Sequence, residues 1–375
     1  MKFGFLIYSY FPYGGQQRDF YRIMKECVSR GHQVIVYTLK WQGETPSDVD
    51  LRYVEVASRS RLKLYRRFTD RVLEDLQKDP CDLVVGFNKM PGLDVYFAAD
   101  PCFAEKAENQ RGAYYRYTPR FRHFMGYEQS VFGEQSKTHV LLLSRLQQQG
   151  FEEYYPDCGP RLHLMPPGID PDRKLTDASS LIRRQFRSEF QLSNDDMLVI
   201  QIGSGFKVKG VDRSLRAIAS LPNEILQRVT YLLVGQDQPE RYLRLAKRLG
   251  IADRVRVLPG RDDIPRFLLG ADLLLHPAYS ESAGYVLLEA TIAGLPVLTT
   301  STCGYACHIE KAVSGLVCAE PFDQQELNGK LQHMLVSADR ATWQRNGIAY
   351  GRSDALYSMP QVATDHLEKF AQAKS

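Results

Sequence analysis

Short runs that are apolar at almost every position recur along the whole chain, each followed by a helical pattern of roughly 10 to 15 residues, and few folds accommodate that order. A strand that is hydrophobic at consecutive positions has no face to offer water, so helices must cover both sides of its sheet. That is the situation of doubly wound parallel sheets. In the first half the candidate strands are Lys2–Tyr8, Gln33–Leu39, Leu51–Val56, Asp82–Phe87, Asp94–Ala98 and Thr138–Ser144. The second half repeats the theme with Met197–Gly203, Val229–Gly235, Arg254–Leu258, Asp272–His276 and Leu295–Thr300. Between the halves, Met165-Pro166-Pro167-Gly168-Ile169-Asp170-Pro171 stacks prolines that neither sheet can continue through. The pattern predicts an α/β protein of two Rossmann-like parallel-sheet domains, 1–167 and 168–354. A C-terminal segment, 355–375, is long enough to return and pack on the first. Open α/β sheets bind ligands at the carboxyl ends of their strands, so a ligand is expected in a cleft between two such sheets.

A length of 375 residues suits two cores rather than one. With 44% hydrophobic and 25% charged residues, collagen-like and largely disordered classes are excluded. Lys and Arg number 48 against 44 Asp and Glu, so a uniformly positive nucleic-acid binder is excluded too, and any basic surface must be local. The seven cysteines are scattered without CxxC spacing, which argues against a disulfide framework or a structural zinc. Met1–Phe11 has the apolar run of a short signal peptide but no small-residue cleavage site, and reads as a buried first strand. No apolar stretch approaches the roughly 20 residues that span a bilayer, so a cytoplasmic location is expected.

Three strands run into a glycine-bearing turn and a helix start: Gly14-Gly15 before Gln16, Gly203 to Gly210 before Val211, and Ser282-Ala283-Gly284 before Tyr285. Each presents unpaired backbone N–H groups and the positive end of a helix to an anion. Any βα unit needs a tight turn, so one such turn carries little weight; three, with Lys207 and Lys209 beside the second, point to a phosphate ligand. None matches GxxxxGK[ST] or strict GxGxxG, which disfavours a nucleoside triphosphatase and a nicotinamide enzyme. Glu281 and Glu289 bracket the third helix start. If Ser282 caps that helix, Glu289 lies roughly 10 Å along its axis, a span suited to a nucleotide sugar with its diphosphate at the helix end. Two solvated glutamates are the other reading of this spacing. A glycosidase pair, about 5 to 9 Å apart across one bond, fits less well.

Pro277-Ala278-Tyr279-Ser280-Glu281-Ser282-Ala283-Gly284-Tyr285-Val286-Leu287-Leu288-Glu289-Ala290, followed by Ala293-Gly294-Leu295-Pro296-Val297, resembles the E-x7-E signature of retaining GT-B glycosyltransferases of family 4. Three further stretches, 10–19, 86–94 and 166–174, are similar to the lipopolysaccharide core glucosyltransferases that add the first hexose to inner-core heptose, and this likeness runs over nearly the whole chain. The resemblance implies transfer of a hexose, glucose above all, from a UDP-sugar to that heptose with retention. It implies the acceptor in the first domain, the donor in the second, and no cofactor or metal. It assigns the donor diphosphate to Gly14, Gly15 and Lys209, the ribose to Glu289, the transferred sugar to Glu281 with the amides near Ala283, Gly284 and Tyr285, and the uracil to Arg261. Relatives carry an arginine where Val208 stands, which leaves Lys207 or Arg173 to supply the second charge. The attack takes place on the front face, with the leaving phosphate oxygen helping to remove the acceptor proton. Where the family often has a histidine near the acceptor, this chain has Ala98-Ala99-Asp100-Pro101, which makes Asp100 the candidate to orient the acceptor hydroxyl, and Asp19 the second. A helix cap or turn aspartate is the other reading of Asp100. Asp48-Val49-Asp50 has the form of a metal-binding DxD but lies among turn residues.

Basic residues concentrate in 58–71 and, interleaved with aromatics, in 103–132. In the latter, Arg111, Arg116, Arg120 and Arg122 are candidates to meet an anionic membrane surface while Tyr114, Tyr115, Tyr117, Phe121, Phe124 and Tyr127 enter it. A solvated charged face over a packed aromatic core is the plainer reading. The family places such an enzyme on the inner face of the inner membrane of Gram-negative bacteria. Two rivals stand beside this reading: the same fold with a UDP-amino-hexose donor, and a catalytically inactive membrane-associated scaffold.

Overall fold

The computed structural model describes residues 1–12 and 14–374. Tyr13, within the first glycine-rich stretch, Ser375, at the end of the returning segment, and the side chains of Gln110 and Ala113 lie outside the described residues. The chain divides into two compact units, 1–168 with 357–375, and 169–356.

The first unit is built on β1 (Lys2–Leu6), β2 (Ser9–Tyr10), β3 (Gln33–Thr38), β4 (Lys40–Trp41), β5 (Asp50–Tyr53), β6 (Leu83–Gly86), β7 (Val95–Ala98), β8 (His139–Leu142) and β9 (Leu162–Leu164). Among the described residues seven of these form one parallel sheet in the order β5-β3-β1-β6-β7-β8-β9, and β2 and β4 pair separately. Strands β6 and β7 are buried at every position, as strands sheltered by helices on both faces must be. The order reverses between β1 and β6, which creates a crevice beyond their carboxyl ends. Phe68, Val72, Phe132 and Phe151 belong to the core on one side of the sheet. The helix Met359–Lys374 returns to pack on Gly15–Ser29, where the Arg30 guanidinium meets Asp365 at 2.6 Å and Glu368 at 3.2 Å. Strand β1 is buried from Phe3 to Leu6, the strand reading of the apolar start. Asp48 pairs with Lys25 at 3.0 Å and Asp50 with Arg52 at 2.7 Å, so the DxD residues serve surface ion pairs.

The second unit carries β10 (Met197–Ile202), β11 (Val229–Val234), β12 (Val255–Leu258), β13 (Leu273–His276), β14 (Val297–Thr300) and β15 (Gly315–Cys318), all parallel, in the order β12-β11-β10-β13-β14-β15. Its chain order reverses between β10 and β13. A buried carboxylate ties the amino end of that seam: Asp272 accepts from the Leu198 amide at 2.7 Å and pairs with Arg183, Arg187 and Arg340 at 2.6 to 3.0 Å. Burial would raise its pKa, but the Arg183 and Arg340 guanidiniums and the Leu198 amide outweigh it and hold the carboxyl below the usual carboxylate range.

Candidate donor site in the second unit

The carboxyl ends of β10 and β13 release two loops that are stitched to one another. The loop after β10 turns through Gly203, Gly205 and Gly210, all at positive φ, and Gly210, at φ 69°, caps the helix Val211–Ala219. A Cβ on Gly210 would fall 2.0 Å from the Pro277 carbonyl oxygen, so the second loop can pass this close only because the side chain is absent. The Tyr279 amide donates to the Val208 carbonyl at 2.8 Å, and the Tyr279 hydroxyl to Asp212 at 2.9 Å. On the other side the second loop runs along residues 302–305, through Glu281 N–H to the Thr302 carbonyl at 3.0 Å and Tyr305 N–H to the Ala283 carbonyl at 2.7 Å.

The side chain at the centre of this frame is Glu281. Its Oε2 receives the Lys209 ammonium and lies 2.9 Å from His276 Nε2, and the carboxylate is 17% exposed. Burial alone would raise its pKa, but the hydrogen bond from His276 and the charge of Lys209 outweigh it and hold the carboxyl near 2, so Glu281 is ionised throughout the neutral range. His276, the last residue of β13, is fully buried, and its Nδ1 finds no partner among the described residues. It carries the signal that sequence reasoning missed: a histidine ending an otherwise all-leucine strand five residues before the first glutamate of the pair.

The helix after Glu281 begins at Tyr285 and runs to Ile292, with Gly284 at φ 92° in the cap position. The cap expected at Ser282 is therefore displaced by two residues, because a left-handed turn at Gly284 starts the helix where no serine side chain is needed. Glu289 becomes the fifth helical residue, roughly 6 Å along the axis rather than 10 Å. It is 5% exposed, and its Oε1 lies 3.5 Å from Arg173 Nε, so the two-solvated-glutamates reading fails for this residue. Arg173 is itself buried, and its Nη1 finds no partner among the described residues. Lys209, Glu281, Ala283, Gly284, Tyr285, Glu289 and Arg173 thus share one unit. Lys207 is exposed. Arg261, beyond the edge strand β12, is clamped by Asp263 at 2.6 and 2.9 Å.

His276, Glu281 and Cys303 bring three ligand-type atoms within 4.8 Å of one another. The set suits a metal poorly. Burial and the neighbouring carboxylate push the Cys303 thiol up to about 11, so it stays protonated, and the Lys209 ammonium already sits on the glutamate oxygen a cation would need.

The remaining candidates lie in the first unit. Gly14 caps the helix Gly15–Ser29 in extended conformation, and Gly15 is its first residue. Asp19 is on that helix, 1% exposed and paired with Arg22 at 2.9 Å, an arrangement that fastens the helix. Asp100 is exposed two residues beyond β7 and lines a cavity of about 460 Å³. The four arginines of 103–132 separate: Arg111 and Arg120 line the same cavity, whereas Arg116 pairs with Glu108 at 3.6 Å and Arg122 donates to the Tyr117 carbonyl. The aromatics separate as well. Tyr114 and Tyr117 are 88% and 75% exposed, while Tyr115, Phe121 and Phe124 pack on Phe103, and Tyr127 donates to Thr69. No helix among the described residues is long and apolar enough to cross a membrane.

Residues 182–349 match the family described as glycosyl transferases group 1. The chain is 43% identical over 366 residues to the lipopolysaccharide glucosyltransferase WaaG of Escherichia coli K12, covering 97% of this chain and 98% of that one. The crystal structure of WaaG, a glycosyltransferase involved in lipopolysaccharide biosynthesis, superposes with a TM-score of 0.91 at 43% identity over 97% of this chain and 99% of that chain. Anabaena HepE, solved in complex with UDP and glucose, shares the fold at a TM-score of 0.76 and 19% identity, covering 98% of this chain and all of that one. With two parallel-sheet units of the GT-B type and this identity along its length, the chain belongs to the group 1 glycosyltransferases, among the lipopolysaccharide glucosyltransferases represented by WaaG.

Proposed function

We propose that the protein transfers glucose from UDP-glucose to an inner-core heptose of lipopolysaccharide with retention of configuration, the second unit holding the donor and the first the acceptor. The observation that carries the donor assignment is the ionised Glu281, fixed by Lys209 and His276 directly before the amide end of the helix Tyr285–Ile292. A departing diphosphate gains negative charge as its bond to the sugar breaks. Lys209 and the positive end of that helix supply preorganised positive potential where the charge grows. Glu281, as a carboxylate, can only accept hydrogen bonds, which suits sugar hydroxyls, and Glu289 does the same for ribose. Arg173, buried against Glu289 with an N–H to spare, is the better substitute than exposed Lys207 for the arginine missing at Val208. Front-face attack forms the bond from the heptose oxygen to the anomeric carbon as the bond to the phosphate oxygen breaks, and that oxygen takes the heptose proton. No side-chain nucleophile is needed, and Asp100 is placed to orient the acceptor. Arg116 and Arg122 with the exposed Tyr114 and Tyr117 form the surface offered to the anionic inner face of the inner membrane.

The test is transfer of labelled sugar to lipopolysaccharide that ends at inner-core heptose, with UDP-glucose and UDP-amino-hexoses supplied in parallel. UDP-glucose is the expected donor, chelator has no effect, and Glu281→Ala lowers turnover by at least a hundredfold while the circular dichroism spectrum is retained. Full activity in that variant would overturn the assignment and favour a site elsewhere.

A further inference from the structure

The cavity of about 460 Å³ in the first unit is set where its sheet reverses chain order, beyond the ends of β1 and β6. Tyr8 and Asn88, two residues past those strands, stand in its wall, with Asn88 Oδ1 accepting from the Tyr8 amide at 3.0 Å. The rest of the wall comes from Lys89, from Asp100 and Pro101, from the helix starting at Arg61 and from the segment 103–124. Its charge is one-sided. Of the cations that line it, Lys89 is already paired with buried Glu128. Arg61, Lys106, Arg111 and Arg120 have no carboxylate partner among the described residues. Asp100 is the sole acidic residue in the lining. Arg111 and Arg120 rest on the rings of Tyr115 and Phe124, with centroid distances of 5.4 and 5.3 Å, contacts that hold the guanidinium planes while their N–H forks find no carboxylate among the described residues. Tyr8 stacks on Tyr65 at 4.0 Å, and its hydroxyl is buried without a partner among the described residues. Burial pushes its pKa well up, so the group keeps its proton and remains a hydrogen-bond donor.

Unpaired like charges around one concave space repel one another and destabilise the empty site, and an anion that accepts from several forks at once relieves that repulsion. A flat membrane surface does not reach groups that converge on a cavity, nor does it need the buried donor of Tyr8. We propose that this cavity is a subsite for an anionic group on the acceptor saccharide, a carboxylate or a phosphate carried by a sugar next to the accepting heptose. Arg61, Lys106, Arg111 and Arg120 grip the anion, and the aromatic walls cover the sugar ring. This assignment rests on the glycosyl-acceptor reading of the first unit. It moves Arg111 and Arg120 from the membrane-facing set to substrate recognition, and leaves Arg116 and Arg122 outside.

The test uses the full chain, UDP-glucose and a soluble acceptor, the deacylated oligosaccharide from lipopolysaccharide that ends at inner-core heptose, so that no membrane is present. The oligosaccharide is supplied intact, with its carboxylates reduced to alcohols, or with its phosphates removed. Arg61→Gln and Arg120→Gln are each expected to raise the acceptor KM about tenfold with the donor KM within twofold of wild type. One of the two treated acceptors is expected to show the same rise with the wild-type enzyme and no further rise with the variants. A loss confined to the carboxyl-reduced form assigns the carboxylate; a loss confined to the dephosphorylated form assigns the phosphate. Equal turnover of all three acceptors, or variants that match wild type with the intact soluble oligosaccharide, overturns the subsite and returns these residues to the membrane. Absence of transfer to any of the three by wild type would instead refute the proposed function itself.

Discussion

At the scale of single residues, the decisive property of the proposed donor site is that Glu281 keeps its charge although most of its surface is removed from water. Its pKa in the folded chain, near 2, lies below the ordinary 4.5, so ionised Glu281 favours the folded chain at every pH above about 4.5. That contribution, on the order of 3 kcal/mol for a shift of this size, is lost as pH falls from about 4.5 toward 2, where the folded carboxylate finally takes a proton. Glu281→Gln retains shape and an accepting oxygen but has no charge to lose. Urea unfolding should therefore show the variant less stable than wild type at pH 6, with the gap narrowing steadily between pH 5 and pH 3. A gap independent of pH would mean that Lys209 and His276 do not hold the charged form. The two glutamates and Lys209 were legible in the sequence because their spacing around a glycine turn is itself a pattern. His276 was not, since a histidine at the end of Leu273-Leu274-Leu275 looks like any buried strand end until the chain folds back and brings Glu281 to 2.9 Å.

At the scale of elements, binding geometry depends on two loops approaching more closely than side chains normally permit. Gly210 is the point of contact, at positive φ and with the Pro277 carbonyl where a Cβ would stand. Gly210→Ala must either open the left-handed turn or push the second loop away, at a cost of roughly 2 kcal/mol or more. Because Tyr279 and Glu281 travel with that loop, the variant should bind UDP at least tenfold more weakly in calorimetric titration, as well as melt earlier. Unchanged affinity would show that the loops are not coupled. The same burial logic explains which strands could be read in advance. Strands β6 and β7 are apolar at each position because both faces are covered. Strands β9 and β15 were missed, since each is the last in its sheet and partly exposed: Leu162-His163-Leu164 is three residues long, and Gly315-Leu316-Val317-Cys318 opens on a glycine. The cavity was legible only as two basic stretches far apart in the chain. Nothing local in either says that Arg61 and Arg120 converge, because their meeting is a product of sheet order.

At the scale of the whole molecule, the chain does not finish in the unit where its last strand lies: the helix Met359–Lys374 closes the first unit. One side of this helix is tied to Arg30 by ion pairs. On the other, His366 and Phe370 meet His139 of β8 and His163 of β9, with His139 Nδ1 3.1 Å from His163 Nε2 and the Phe370 ring stacked on His139 at 3.9 Å. Burial comes first among the causes that lower the pKa values of all three histidines, bringing His163 to about 4, and neighbouring Lys369 and Arg161 reinforce it against the weaker pull of Asp94 and Asp365. The unfolded chain takes up these protons near 6.5, and the folded unit resists them until lower pH. The cluster therefore leaves the first unit fully stable above about 6.5 and destabilises it progressively as pH falls toward 4. Three such groups act together on the helix that joins the chain's end to its beginning, whereas in the second unit burial lowers His308, which lies on another helix. The two tryptophans allow the units to be followed separately, Trp41 in the first and Trp343 in the second. With Trp343→Phe, fluorescence from Trp41 should show the urea midpoint of the first unit falling between pH 7 and pH 4.5. With Trp41→Phe, the midpoint reported by Trp343 should move less over the same range. If Trp41 registers no shift, the histidines are already protonated in the folded chain and the returning helix is held by its ion pairs and apolar face alone.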